Sequence, residues 1–354
     1  MRNKYSLLSR DTNLIAFVGD IYHLLGAITY AYRISKSEKV NGVIYVGKNW
    51  LRNDPIKEQV FEIENVNIRI VKNYSYFKIL PSKYFIILKH FIFRGYDKSI
   101  HIVNVRNASL NLIFFTLSMF NSLIKCVVIE EGISTYYNEK GYVFALKSKI
   151  KRILIKMMLY KSEDFTFFTK KGKYNLIPNT DVIANYREFL AKYSNSIYNS
   201  VGETLNKYRN KDLTGSAFIA SYPILNHHAE YMGFLDKLIK ILKKENIKVY
   251  IKPHQCDILD QYDIYGVDVL PHDLPIESLL DFFKPDYLFG FLSTALVNAN
   301  LLYNTYSIDL SNILLNEFNV SLTPHKDYIN KLFENQVKVL NSFEELNSLV
   351  QKEK

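Results

Sequence analysis

The feature that most constrains the fold of this chain is a regular alternation of short apolar runs with longer amphipathic ones. Strands alternating with helices build βαβ units, and these predict a parallel sheet covered by helices. In the first half, apolar runs predict buried strands at 14–18, 42–46, 66–71, 99–103 and 125–129.

A second series of the same kind follows a polar stretch. It predicts strands at 216–220, 248–251, 267–270, 287–291 and 305–308, and helices at 228–244, 276–283 and 295–302. We therefore expect an α/β protein with two facing Rossmann-like domains and a cleft between them. The expected boundaries are an N-terminal domain at 1–190, a linker at 191–212, a C-terminal domain at 213–325 and a helical segment at 326–354.

Composition narrows the classes of partner. The chain has 354 residues and a net charge of +10, which favours anionic partners such as nucleotide-sugars, phospholipid headgroups or nucleic acid. Its two cysteines match no metal or redox spacing and fit a reducing cytosol. Neither half contains G-x-G-x-x-G or a Walker loop, which argues against tightly bound dinucleotide or ATP.

Neither a signal peptide nor a membrane-spanning segment is expected from the sequence. The polar start predicts no signal peptide, and the longest apolar stretch, 110–120, is too short to span a bilayer. A soluble or membrane-peripheral protein is expected.

Polar residues stand where the predicted strands of the second half end. Lys252-Pro253-His254 follows the strand at 248–251, and ligands of open α/β sheets bind beyond such strand ends. A histidine there can donate to a phosphate and carry a proton near neutral pH. The alternative is an ordinary strand exit with a solvated histidine.

Two further exits of the second half carry groups suited to a nucleotide. Gly290 is followed by Ser293-Thr294 at a predicted helix start, where hydroxyls and free N–H groups bind anions, and Ser221 follows the strand at 216–220. Glu277 lies in the first turn of the helix at 276–283. It could accept hydrogen bonds from ribose hydroxyls or only complement the helix dipole.

In the first half, acidic residues follow the end of a predicted strand. Glu130-Glu131-Gly132 follows the strand at 125–129, and a carboxylate facing the cleft could act as base for a sugar hydroxyl. A solvated loop is the alternative. Three polar exits opposite an acidic one indicate a glycosyl or phospho-group transferase.

Residues 146–161 contain six basic residues and no acid, with apolar residues on one helical face. Such a helix can lie on an anionic membrane, or can be a domain helix with a solvated basic face.

The ordered set resembles the bacterial sialyltransferases, nearest the lipooligosaccharide sialyltransferase group (glycosyltransferase family 52), with kinship to bacterial polysialyltransferases. Glu130-Glu131-Gly132 matches their acidic motif, and Ser293-Thr294 matches their Ser-Ser/Ser-Thr motif. Lys252-Pro253-His254 resembles their His-Pro motif, with the proline before the histidine and Gln255 in place of the usual proline. The likeness covers most of residues 12–310.

The resemblance implies a GT-B fold and transfer of sialic acid from CMP-sialic acid to a terminal sugar of lipooligosaccharide or capsule. Glu130 or Glu131 would be the base, and His254 would bind or protonate the departing phosphate. The remaining donor-binding positions would be Lys252, Pro253, Glu277, Ser293, Thr294, Ser221 and Gly290. Residues 1–190 would serve the acceptor and 213–325 the nucleotide-sugar.

The sequence also leads to expectations about cofactors, partners and location. We expect no metal and no cofactor besides the donor substrate, no nucleic acid, and a cytoplasmic protein held at the inner membrane face through 146–161. Residues 326–354 are expected to pack back across the domains or onto a second subunit, which would make a homodimer. Two other functions stay open: a CDP-glycerol-type polyol-phosphate transferase, and a non-enzymatic basic binding protein.

Overall fold

The chain divides into two compact units. The computed structural model describes residues 11–19, 21–47, 59–74, 99–104, 123–129, 162–171, 175–201, 215–222, 229–254, 257, 259–272, 274, 276–320, 322 and 336–352. The first unit runs to Thr169 and resumes at Pro178–Tyr193, and the second comprises Lys170–Ile177 and the chain from Ser194 onward. Among these described residues, no helix is both long and apolar enough to cross a bilayer.

The first unit is built on one sheet. Among the described residues its strands are β1 Leu14–Val18, β2 Val40–Gly47, β3 Gln59–Ile63, β4 Val66–Tyr74, β5 Ile100–Asn104, β6 Ile124–Ile129 and β7 Glu163–Phe165, in the order β3-β4-β2-β1-β5-β6-β7. All five residues of β1 are buried and apolar, as expected for a central parallel strand covered on both faces. The parallel sheet predicted from the sequence is confirmed for every strand except β3, which pairs antiparallel with β4 at the edge.

Two helices are described in the chain up to residue 201. Helix α1, Ile21–Ser35, connects β1 with β2. A two-stranded sheet, β8 Phe168–Lys171 with β9 Asn175–Pro178, precedes helix α2, Thr180–Val201, and these elements contain residues of both units. Phe189 and Leu190 of α2 are buried. Helix α2 continues through 191–201, the first part of the predicted linker, and 202–212 lie outside the described residues.

The second unit has a fully parallel sheet. Its strands among the described residues are β10 Ser216–Ala220, β11 Lys248–Lys252, β12 Asp268–Val269, β13 Tyr287–Gly290, β14 Tyr306–Asp309 and β15 Lys338–Val339, in the order β12-β11-β10-β13-β14-β15. Numbered along the chain this is 3-2-1-4-5-6, the order of dinucleotide-binding folds. The parallel strands of the first unit have the same order.

Among the described residues, five helices follow or connect the strands of this second sheet. They are α3 Ala229–Lys244, α4 Ile276–Phe283, α5 Thr294–Tyr303, α6 Ser311–Phe318 and α7 Phe343–Lys352. A 3₁₀ helix spans Leu259–Tyr265. The ring of Phe234 in α3 packs against Phe291 and Phe343 with centroid distances of 5.6 and 5.3 Å. Residues of the predicted segment 326–354 therefore extend this sheet through β15 and close this core through α7.

Candidate functional site

Three of the predicted site segments come together at one edge of the second sheet. Strands β11, β10 and β13 are neighbours and parallel, so their carboxyl ends share an edge. Between β10 and β13 the strand order reverses direction, which is where open α/β sheets bind ligands. Lys252-Pro253-His254, Ser221 and the turn after Gly290 all stand at this edge, as the sequence predicts.

Asp257 ties the exits of β10 and β11 together. Its Oδ2 accepts hydrogen bonds from the Ser221 hydroxyl, from the Tyr262 hydroxyl at 2.7 Å and from the His254 backbone N–H at 2.7 Å. The same His254 N–H lies 2.7 Å from Ser221 Oγ. The Ser221 backbone N–H donates to the Lys252 carbonyl at 3.0 Å. The Ser221 hydroxyl, predicted to bind the donor, thus belongs to the scaffold that fixes the backbone of His254.

His254 presents its side chain at the surface of this edge while its backbone is fixed. Partial burial lowers the pKa of its imidazole from the usual 6.5; the Asp257 carboxylate raises the pKa and the Lys252 ammonium lowers it. The ring is therefore mostly neutral at pH 7. A neutral imidazole still donates one N–H, and a bound phosphate would favour its protonation.

Lys252 is buried, unlike most lysines. Its Nζ donates to the carbonyl of Pro253 at 2.7 Å and to that of His272 at 3.3 Å, joining the exits of β11 and β12. Buried charges need such partners. Pro253 is also buried, and its part in these contacts is to offer its carbonyl.

The turn from β13 into α5 has the local features of an anion site. Ser293 is the N-cap of α5 with extended backbone angles, and its Oγ accepts from the Ala295 N–H at 3.2 Å. Thr294 is the first residue of the helix. Helix N-termini carry partial positive charge and unpaired N–H groups, so this turn is suited to a phosphate.

A buried carboxylate shapes that turn. Asp309, at the end of β14, is 0% exposed, and its Oδ2 accepts from the Leu292 N–H at 2.6 Å. Its Oδ1 accepts from the backbone N–H of Ser311 at 2.8 Å and from the Ser311 hydroxyl. Leu292 has a φ of 43°, a left-handed conformation that residues with side chains rarely adopt. Asp309 holds the backbone in this conformation directly before Ser293.

Gly290 has a packing role. A Cβ at this position would lie 3.3 Å from Leu296 Cδ2 and 3.7 Å from Ala220 Cβ. The absence of a side chain lets Leu296 of α5 pack closely against β13.

Glu277 is held from the same helix. The fully buried Asn298 of α5 donates from Nδ2 to Glu277 Oε1 at 3.0 Å. The predicted ribose-binding carboxylate in the first turn of α4 is thereby connected to the helix that begins at the candidate phosphate site.

Some predicted features lie outside the described residues. Strand β6 ends at Ile129, so Glu130 follows it directly in the chain, but Glu130, Glu131 and Gly132 are not described, and neither is the basic segment 146–161. Within the parts of the chain that are described, no group of three His, Cys, Asp or Glu side chains is arranged to hold a metal ion.

Three residues of the site were missed by sequence reasoning. Asp309 carried a usable signal, because it ends an apolar strand in the same way as the recognised exits. Asn298 stands among apolar residues of a buried helix, which also marks an unusual residue. Asp257 has no such signal, since its role depends on the loop that returns it to His254.

Comparisons with known proteins give the family and the fold of the chain. The model of the alpha-2,8-polysialyltransferase family matches residues 15–311. No protein of curated function matches the chain.

Solved structures give the fold. A UDP-GlcNAc 2-epimerase from Neisseria meningitidis bound to UDP-GlcNAc aligns with a TM-score of 0.53 at 9% identity, over 96% of this chain and 91% of the other. A protein from Listeria monocytogenes assigned as a UDP-N-acetylglucosamine 2-epimerase aligns with a TM-score of 0.53 at 8% identity, over 96% and 87%. At such identities the likeness shows the fold alone, and it confirms a GT-B-like α/β protein with two Rossmann-like domains.

Proposed function

The chain belongs to the alpha-2,8-polysialyltransferase family, and from this premise we propose that it transfers sialic acid from CMP-sialic acid to a terminal sugar of a bacterial surface glycan. The protein is a glycosyltransferase related to the bacterial polysialyltransferases. The identity of the donor, the inverting course and independence from metal are the proposed parts.

The observation that carries the proposal is the extent of the family match. Residues 15–311 include parts of both units and every candidate site residue, from Glu130 and Glu131 to His254, Glu277 and Ser293-Thr294. The match therefore spans the whole stretch of chain that contains the short motifs. The matching model is that of the polysialyltransferases and not that of the lipooligosaccharide sialyltransferases. Kinship with the lipooligosaccharide group is therefore part of the proposal.

The proposed reaction is a single displacement. Glu130 or Glu131 removes the proton from the acceptor hydroxyl, whose oxygen attacks the anomeric carbon of sialic acid. The bond from that carbon to the phosphate oxygen breaks, and CMP leaves with the electron pair. His254 donates a hydrogen bond or a proton to the departing phosphate, and Ser293, Thr294 and the start of α5 stabilise its charge. Glu277 binds the ribose.

Donor choice is the decisive test. The purified protein is incubated separately with CMP-sialic acid, CDP-glycerol and UDP-N-acetylglucosamine, with and without a galactose-terminated oligosaccharide, and nucleotide release is followed by chromatography. We expect CMP from CMP-sialic acid, undiminished by EDTA, and a product with inverted anomeric configuration by NMR. CMP from CDP-glycerol alone would favour the polyol-phosphate transferase. Epimerisation of UDP-N-acetylglucosamine would show that this protein is an epimerase, like the two solved structures with which it aligns.

Variants test the roles of the residues. At least one of Glu130→Gln and Glu131→Gln should reduce turnover by about 10²–10⁴-fold, the usual contribution of a general base. His254→Ala should also abolish transfer, with unfolding temperatures unchanged in all three variants. Full activity in both acidic variants would remove the base assignment.

The acceptor and the place of action are also proposed. Comparing a galactose-terminated with a sialylated oligosaccharide, and looking for a ladder of products, distinguishes single addition from polymer synthesis. We propose peripheral attachment through 146–161, where each basic residue near an anionic surface contributes about 1 kcal/mol. Failure to co-sediment with phosphatidylglycerol vesicles at low salt would exclude this attachment.

A further inference from the structure

Asn298 is a polar residue at a buried helix position, where apolar residues are usual. It is 0% exposed in the middle of helix α5. The other buried residues of this helix are Ala295, Leu296, Val297, Ala299, Leu301 and Leu302. Burying an amide among apolar side chains is unfavourable unless it forms hydrogen bonds, so the contact of Asn298 with Glu277 is the feature that requires explanation.

The contact joins two parts of the candidate donor site. Glu277 lies in the first turn of α4, and Asn298 donates to its Oε1 at 3.0 Å. Asn298 is four residues after Thr294, so both lie on the same face of α5. The amide therefore fixes the carboxylate of Glu277 relative to the helix start at which the phosphate is proposed to bind.

Fixing one carboxylate oxygen has a chemical consequence. A carboxylate that accepts hydrogen bonds from two vicinal hydroxyls must hold its plane in one orientation, and a side chain that rotates freely loses this advantage on binding. A buried amide that donates to one oxygen restricts that rotation before the ligand arrives.

We propose that Asn298 is a positioning residue of the donor site, which holds the carboxylate of Glu277 in the orientation that binds the ribose hydroxyls of the cytidine nucleotide. This inference rests on the proposed function, in which Glu277 binds the donor ribose. Asn298 itself does not touch the donor.

Asn300 supplies a matched control on the same helix. Its Nδ2 donates to the carbonyl of Gln336 at 2.8 Å, which is a helix–loop contact away from Glu277. Asn300→Ala also removes a hydrogen bond donated by a side-chain amide of α5, in this case to a neutral carbonyl, without altering the carboxylate of Glu277.

The experiment compares two ligands across variants of the full chain. Calorimetry gives the affinities for CMP and for 2′,3′-dideoxy-CMP, which lacks both ribose hydroxyls, in the wild type and in Asn298→Ala, Asn298→Leu, Glu277→Ala and Asn300→Ala. We expect the Asn298 variants to lose about tenfold in CMP affinity, the loss of one hydrogen bond to a charged group, with dideoxy-CMP affinity unchanged. Asn300→Ala should change neither.

The outcomes separate this inference from its premise. One outcome is that the wild type prefers CMP to dideoxy-CMP, that Glu277→Ala loses this preference and that Asn298→Leu keeps it. The positioning role of Asn298 is then wrong, while the proposed donor site stands. An equal loss for both ligands in the Asn298 variants also overturns it. A wild type that binds no cytidine nucleotide overturns the proposed function itself. Leucine approximates the shape of asparagine. The Asn298→Leu variant therefore tests the positioning role even if Asn298→Ala does not fold.

The double variant gives a second criterion. Because Asn298 is proposed to act only through Glu277, Asn298→Leu combined with Glu277→Ala should bind CMP no more weakly than Glu277→Ala alone. Additive losses would contradict the proposal.

Discussion

At the scale of single residues, Asp257 accepts hydrogen bonds from the Ser221 hydroxyl and the His254 backbone N–H at the ends of β10 and β11, and from the Tyr262 hydroxyl of the 3₁₀ helix. A carboxylate with this many donors orders the groups around it, because hydrogen bonds to charged partners are stronger than those between neutral groups. The nearest consequence concerns His254, whose backbone it binds and whose charge it influences.

We predict that Asp257→Asn lowers the pKa of the His254 imidazole further. Partial burial already lowers this pKa, and the Asp257 carboxylate opposes the change; removing the negative charge removes the opposition. His254 then loses its proton at a lower pH, and CMP affinity that depends on the protonated ring declines at a lower pH than in the wild type. NMR titration of the imidazole and calorimetry across pH 5–8 measure the two effects.

Ser221→Ala is the control for that titration. It removes one hydrogen bond to Asp257 but leaves the carboxylate charge in place, so the pKa of His254 should stay nearer the wild-type value. A pKa that rises in Asp257→Asn, or stays the same, would contradict the electrostatic account.

At the scale of elements, the turn between β13 and α5 combines a disfavoured backbone conformation with a buried side chain. A left-handed conformation costs a residue with a side chain about 1–2 kcal/mol, whereas burying a leucine side chain contributes about 1.5–3 kcal/mol. Leu292 is only 7% exposed, so burial offsets the conformational cost. Asp309 supplies the hydrogen bond that selects this conformation.

We predict that Asp309→Asn weakens phosphate binding specifically. The amide retains one acceptor but places a donor against an N–H or hydroxyl donor, so the unfolding free energy should fall by about 2 kcal/mol. With Ser293-Thr294 less well fixed, CMP affinity should fall about tenfold while cytidine affinity stays within about twofold, since cytidine lacks the phosphate. Denaturant titration and calorimetry measure these changes.

Ser311→Ala serves as the comparison for Asp309. It removes the hydroxyl donor to Oδ1 and leaves the Leu292 bond to Oδ2 intact. It should lower stability by a smaller amount and leave the CMP affinity unchanged. Equal loss of cytidine and CMP binding in Asp309→Asn would show a general disturbance of the unit instead.

At the scale of the whole molecule, the chain divides into two compact units whose parallel strands follow the same order. The proposed nucleotide contacts of the described residues all lie in the second unit. A nucleotide that binds the folded state stabilises it by about 2.7 kcal/mol at a hundredfold excess over its Kd, and the gain should be confined to the unit that binds.

We predict that CMP slows hydrogen exchange in the second unit and not in the first. Protection should rise in peptides covering 216–222, 248–254 and 287–296, and stay constant in 40–47 and 66–71. Mass spectrometry with and without CMP measures this directly. Greater protection in the first unit would place the cytidine nucleotide elsewhere.

Much of the element pattern could be predicted from the sequence, because buried strands such as 216–220 consist mainly of apolar residues and are followed by polar ones. Strand order could not, since it depends on which crossover passes over which face of the sheet. Strand β3 was missed because Gln59–Ile63 alternates over only five residues. The exits of β11 and β13 were predicted as site residues, whereas Asp257 and Asp309 act through contacts that only the folded chain brings together.

The strand order of the second unit has a consequence for how the protein acquires its site. Ala217 of β10 pairs with Tyr287 of β13, and the intervening chain contains β11 and β12 with their helices. Pairings between such distant segments form slowly, because the entropy cost of closing the intervening loop comes before the favourable contacts form. The exits of β10 and β13 meet only when this central pair closes. A newly synthesised chain with either half alone would carry half a nucleotide site, so competence to bind CMP should appear together with completion of the sheet.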